Sequence, residues 1–140
     1  MINVVDTSVA IKWYASEPDS LRARKLIGRP LIAPNLIRAE LANALWKKVR
    51  RGELERTQAR EALPHLARSV MLLPSEPFAE SVLELSLDLG HPVYDCFFLE
   101  LARTLDFPLI TSDKRLWIRT RGSSFTDRVI MLRDWEPDNG

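Results

Sequence analysis

The sequence holds a single cysteine, Cys96, and only two histidines, His65 and His91. One cysteine excludes an intramolecular disulfide and a multi-cysteine zinc site, and it fits a reducing compartment. Two histidines leave little material for a histidine-rich metal centre or a Ser-His-Asp triad. Long apolar runs are missing too: none reaches the roughly 18 residues of a membrane span. The N-terminus has no basic segment followed by an apolar one, so no signal peptide is predicted and the expected location is the cytoplasm. Net charge is nearly absent at +1. That sum argues neither for nor against nucleic acid, because it can hide an acidic pocket on a basic surface. The basic residues cluster in KKVRR at 47–51, between Arg56 and Arg60, and in KRLWIRTR at 114–121. Each run taken alone reads as a solvated helix face.

What is present is ordinary in bulk. The chain of 140 residues is 46% hydrophobic and 28% charged, which fits one globular domain with a real core. No repeat, low-complexity tract or linker divides it, so one domain is expected over 1–134, with WEPDNG at 135–140 as a loose tail. INVV at 2–5 is a continuous apolar run, the mark of a parallel strand covered on both faces. LIA at 31–33, VMLL at 70–73, PLIT at 108–111 and RVIML at 128–132 read as further strands. Helices are expected over 7–15, over 18–28 up to Gly28, and from Pro34 to about Arg51 with Gly52 as the stop. Residues 54–69 are helical in composition, with a break or kink at Pro64. Helices over 77–89, 95–105 and 113–120 complete the pattern, and RGSSF at 121–125 is a loop. Strands alternating with helices predict an α/β fold with a mostly parallel sheet.

Ligands of such sheets bind beyond the carboxyl ends of the strands. Asp6 ends the first strand, and Asp113 follows PLIT. Asp95 opens a helix after HPVY, and Glu40 sits at the margin of the buried stripe of the Pro34 helix. Each has an ordinary explanation: Asp6, Asp95 and Asp113 as helix N-caps worth about 1 kcal/mol, and Glu40 as a surface glutamate. Brought together, though, carboxylates repel by about 1 kcal/mol per pair at 4 Å in water and about 4 at an effective dielectric of 20. Protons or a hard divalent cation must then neutralise the cluster. Oxygen ligands alone select Mg²⁺ or Mn²⁺ over zinc or copper, a combination suited to phosphodiester chemistry.

VVDTSVAIKW, LIRAELANALWKK, VYDCFFLELA and PLITSDKRL, in that order, resemble the PIN-domain ribonucleases, and in particular the VapC-type toxins of toxin–antitoxin pairs. The resemblance implies an RNase H-like three-layer α/β/α sandwich and a metal-dependent endoribonuclease. It assigns Asp6, Glu40, Asp95 and Asp113 to the family's acidic quartet, with Asp6 and Asp95 as direct Mg²⁺ ligands. Asp113 would serve a second ion or orient the attacking water, and Glu40 would act through waters. Thr7, Ser8, Thr111 and Ser112 match hydroxyl positions that line such sites, although capping and turn support explain them as well. Lys114 and Arg115 stand where some relatives carry another acid, so a second metal site loses a ligand while RNA phosphate gains two cations. Glu100 falls about 140° round the helix from Asp95 and is left out. The resemblance also implies RNA as substrate, an antitoxin partner and a homodimer. Trp13, Trp46, Phe97 and Phe98 offer apolar area for an interface, Trp13 and Trp46 foremost.

Two other functions fit a small α/β domain with acids at strand ends. A phospho-receiver domain needs adjacent acids after the first strand and an Asp after a middle strand. Asp6 is followed by Thr7 and Ser8, and VMLLPSE at 70–76 has no Asp. A non-catalytic binding module on the same scaffold, with the acids reduced to caps, is separated from the nuclease by metal-dependent cleavage.

Overall fold

The computed structural model describes residues 1–138. Its centre is a five-stranded parallel sheet in the order β3-β2-β1-β4-β5, formed by β1 (Asn3–Val5), β2 (Leu31–Pro34), β3 (Met71–Leu73), β4 (Leu109–Thr111) and β5 (Val129–Met131). Asn3 and Val4 pair with β2 on one side, and Val4 and Val5 with β4 on the other. Val4, Val5, Ala33, Leu109 and Ile110 have no exposed surface, as expected for strands covered on both faces. The helices α1 (Thr7–Tyr14), α2 (Ser20–Arg24), α3 (Ile37–Arg50) and α4 (Arg56–Ser69) pack with one another. The pair α5 (Ala79–Leu89) and α6 (Val93–Leu105) packs together, with α6 lying on β1, β2 and β4. The short helix α7 (Lys114–Thr120) links β4 to β5. The result is the expected three-layer α/β/α sandwich.

Several boundaries differ from the sequence reading, each for a local reason. The helix expected over 18–28 shrinks to α2. Asp19 takes a left-handed φ of 67° ahead of it, and Lys25, Leu26 and Ile27 follow in tight three-residue turns. Pro34 does not open the third helix. It ends β2 opposite Leu73, two residues past the last pair with β1 at Ile32, so its missing N–H falls where the β1 ladder has already ended, and the helix starts at Ile37. Pro64 does not break α4, which runs from Arg56 to Ser69. Pro64 and Arg60 are both exposed, so the Arg60 carbonyl that loses its helical donor meets water. Buried Ala62 and Leu66 and a Glu55–Gln58 capping box hold the helix on either side.

Two expectations for aromatic and terminal residues also change. Trp13 is buried and its indole donates to the Ala23 carbonyl at 2.8 Å, so it ties α1 to α2 instead of facing a partner. Phe98 is buried as well, and only Trp46 of the expected pair stays exposed. Trp135, expected in a loose tail, is buried under the Arg29 guanidinium. The Arg22 guanidinium donates to the Trp135 carbonyl and to Glu136. The last two residues of that expected tail, Asn139 and Gly140, lie outside the described residues.

Replacing Pro64 by alanine restores a donor to the Arg60 carbonyl at an exposed helical position. Pro64→Ala is expected to raise the unfolding free energy by about 1–3 kcal/mol, read from urea denaturation. An unchanged or lower midpoint at equal slope would show that α4 depends on its proline.

Candidate active site

The strand order reverses direction between β1 and β4, the position where open parallel sheets form their crevice. Asp6 leaves the end of β1 there, and Thr111, Ser112 and Asp113 leave the end of β4. The two strand ends are joined through side-chain hydroxyls. The Ser112 N–H donates to Ser8 Oγ at 2.8 Å, and Ser8 Oγ donates to Asp6 Oδ1. The Asp113 N–H donates to Thr111 Oγ1 at 3.0 Å, and Thr111 Oγ1 donates to Asp6 Oδ2. Two relays therefore run from the backbone of the β4–α7 loop to the two oxygens of one carboxylate. Asp6 also caps α1 by accepting from the Val9 N–H, so its capping role and its place at the crevice coexist.

The other expected acids are each held by one oxygen. Thr7 Oγ1 donates to Glu40 Oε1 at 2.9 Å, binding α3 to the start of α1. Asp113 caps α7, its Oδ1 accepting from the Arg115 and Leu116 N–H groups at 2.9 and 3.3 Å. Asp95 departs from its expected role as an N-cap. The helix begins at Val93 after Pro92, which places Asp95 inside the first turn with no cap to make. Its Oδ2 instead lies 2.8 Å from His91 Nε2. Glu40 Oε2, Asp95 Oδ1 and Asp113 Oδ2 carry no hydrogen bond among the described residues. Glu100 is buried elsewhere, paired with Arg103 and Thr104.

Electrostatics unite the four. Burial pushes the Asp6 carboxyl from its ordinary 3.8 up to about 7, against the opposing Ser8 and Thr111 hydrogen bonds, with the Asp95 and Asp113 charges adding to the rise. Burial also raises Glu40, opposed by Thr7 and reinforced by Asp95. It raises Asp95, opposed by the His91 hydrogen bond and reinforced by Asp113. Asp95 and Asp113 open onto a cleft of about 770 Å³ whose lining includes His91, Arg115, Arg119 and Arg121. Asp6, only 5% exposed, is not part of that lining.

No three His, Cys, Asp or Glu side chains stand close enough to form a ready metal cage among the described residues. The donor set nonetheless fits Mg²⁺, which takes one or two carboxylates and keeps several waters. Carboxylates whose protons are favoured by burial and mutual repulsion are also the groups a cation would relieve.

The sequence reading missed His91, counted there only as material too scarce for a metal centre. The signal was its spacing of four residues from Asp95. Of KRLWIRTR it gave only Lys114 and Arg115 to RNA phosphate and left the rest as a solvated face, whereas Arg115, Arg119 and Arg121 line the cleft and Lys114 does not.

The chain belongs to the PIN domain family, which it matches over residues 4–122. Ribonuclease VapC3 of Pyrobaculum aerophilum is 32% identical over 118 residues, an overlap of 81% of this chain and 90% of that protein. Two solved structures share the fold. PAE2754 from Pyrobaculum aerophilum superposes with a TM-score of 0.67 at 24% identity, covering 95% of this chain and 90% of that one. VapBC2 from Rickettsia felis, bound to a DNA fragment from their promoter, superposes with a TM-score of 0.63 at 14% identity, covering 97% and 100%.

The raised Asp6 carboxyl has a consequence for stability. Between about pH 4 and 7 the folded protein holds a proton on Asp6 that the unfolded chain has released. Metal-free stability therefore falls as pH rises through that window. At about 1.4 kcal/mol per pH unit, the rise from 3.8 to about 7 sets an upper bound of about 4 kcal/mol. Asp6→Asn mimics the protonated carboxyl. In EDTA it is expected to exceed wild type in stability at pH 8 and to lose that advantage toward pH 4, as followed by thermal melts. A constant difference across the range would show that Asp6 is ionised throughout.

Proposed function

We propose that this chain is a metal-dependent endoribonuclease acting as the toxin of a toxin–antitoxin pair, a reading supported by its likeness to the protein named Ribonuclease VapC3. The observation that carries the reading is the acidic quartet itself. Asp6, Glu40, Asp95 and Asp113 are all anchored by hydrogen bonds at one sheet edge, three of them with an oxygen left free. A cluster of that kind lowers metal-free stability and has no purpose in packing alone. Caps would account for Asp6 and Asp113 but not for Asp95 or Glu40, which weighs against a plain binding module.

Asp6 and Asp95 are the residues to hold Mg²⁺, with Mn²⁺ as a substitute. The bound ion would supply charge neutralisation and Lewis acidity toward a phosphodiester. The Ser8 and Thr111 relays keep the Asp6 carboxylate fixed, and His91 fixes Asp95. Glu40 and Asp113 are suited to hold waters through their free oxygens, and Asp113 would orient an attacking water or serve a second ion. The substrate is RNA. The partners are an antitoxin, for which the exposed Trp46 beside Arg50 offers an aromatic contact, and a second copy of the chain. No helix among the described residues is long and apolar enough to cross a membrane, and we place the protein in the cytoplasm.

The test is cleavage of purified total RNA with Mg²⁺, with Mn²⁺ and with EDTA, comparing wild type with Asp6→Asn and Asp95→Asn. Wild type is expected to give discrete fragments that vanish in EDTA. Each variant should lose more than about 100-fold, since partners of metal ligands alone cost about 10–100-fold, while circular dichroism stays native. Full activity in either variant would sink the assignment. Intact RNA, ribosomes and tRNA after exposure to folded, antitoxin-free wild type would favour the binding module.

A further inference from the structure

The cleft that exposes Asp95 and Asp113 carries positive charge on its α7 side. Arg115 and Arg119 lie four residues apart, on one side of α7 and about 6 Å along its axis. Both are exposed and both line the cleft. Neither makes an ion pair or a side-chain hydrogen bond among the described residues, even though two carboxylates share their cleft. Arg119 reaches across the opening, its Nη1 4.0 Å from where a Cβ would stand on Gly90, beside His91. Arg121 is different. Its guanidinium donates to the Trp117 and Val129 carbonyls and stacks on the Trp117 ring at 4.4 Å. It buttresses α7 and has little left to offer a ligand.

We infer that Arg115 and Arg119 hold the phosphates of a single RNA strand running through this cleft, so that the strand lies between the α7 arginines and Asp95. Naming RNA rests on the ribonuclease reading. The anion site itself rests on the two free guanidinium groups. A guanidinium presents a rigid fork of donors matched to phosphate oxygens. An arginine left unpaired within a cleft that also holds carboxylates is available to an anion from outside. Pairing it with Asp95 or Asp113 would instead occupy the oxygens that a cation needs. Contacts of this kind position a strand without reading its bases. The two arginines therefore set affinity and the strand's path, and sequence preference comes from elsewhere.

The experiment measures binding of a fluorescently labelled mixed-sequence single-stranded RNA by anisotropy, in EDTA so that nothing is cleaved, over about 50–200 mM salt. The proteins are wild type, Arg115→Gln/Arg119→Gln, and Arg24→Gln as a control on α2, outside the cleft. Each phosphate contact contributes about 0.7 to the slope of log affinity against log salt for a single strand. The double variant is expected to bind more weakly and to flatten that slope by about 1.4, with Arg24→Gln unchanged. A slope equal to wild type in the double variant overturns the proposal. Metal-dependent cleavage by wild type, measured in parallel, separates the two readings. Cleavage with an unchanged slope removes the arginine wall and leaves the nuclease. A flattened slope without cleavage keeps the wall and removes the nuclease. Absence of both RNA binding and cleavage overturns both.

Discussion

A carboxylate buried between two parallel strands organises this molecule. Asp6 stands where β1 ends, with β4 on one side and β2 on the other. Its two oxygens are reached by separate hydroxyl relays from the loop after β4. Two pairs of hydrogen bonds thus link the register of the β1–β4 pair, the start of α1 and the path into α7. Burial makes the charge costly, and the hydroxyls offset only part of that cost, which is why the carboxyl titrates near 7 and not below its ordinary value. A position so expensive when ionised is suited to a role that appears only when a cation arrives. Stability and chemistry then pull in opposite directions at the same atoms.

The parts of the fold legible in the sequence were those set by patterns of several residues. Val4–Val5 and Leu109–Ile110 announce buried parallel strands through unbroken apolar runs, and Gly90 marks the end of α5. The misread boundaries depend on single residues whose surroundings the sequence does not display. Pro34 is a helix opener by local statistics but sits in a strand because Leu73 pairs beside it. Pro64 is a helix breaker by the same statistics but is tolerated because the carbonyl it orphans is in water. Trp13 borders charged residues in sequence and is nevertheless buried, since Lys12 turns its ammonium to the Pro18 carbonyl while the indole turns inward.

The site was legible in its acids and not in what holds them. Strand ends give away Asp6 and Asp113, because a parallel sheet collects its carboxyl edge in one place. Asp95 at a helix start and Glu40 at the margin of a buried stripe are weaker signals, joined to the other two by likeness to a family, and their partners are the physical reason they belong. Thr7 reaches across 33 residues to Glu40, and Thr111 across 105 to Asp6. Neither contact has a local signature, so the hydroxyls read as caps and turn formers until the strands were placed side by side. His91 is the exception. It lies four residues ahead of Asp95, just before the helix begins, but was passed over because a lone histidine carries no pattern.

The short helix α7 joins the two charge systems. Leu116 and Thr120 are its buried face, Asp113 is its cap, and Arg115 and Arg119 project from the same turns into the cleft. The cap uses Asp113 Oδ1 on the backbone of Arg115 itself. The acid and the first arginine are therefore fixed relative to each other by the peptide chain, not by side-chain pairing. That arrangement resolves a conflict that an open cleft of mixed charge would otherwise face. Free arginines next to free carboxylates collapse into ion pairs unless something restrains one of them. Here the carboxylates are the restrained members, through Thr7, His91, the two relays and the cap, which keeps their remaining oxygens directed by hydrogen bonds and leaves the arginines to find an anion elsewhere. Negative charge for a cation and positive charge for a phosphate can then face one another across the same opening without cancelling.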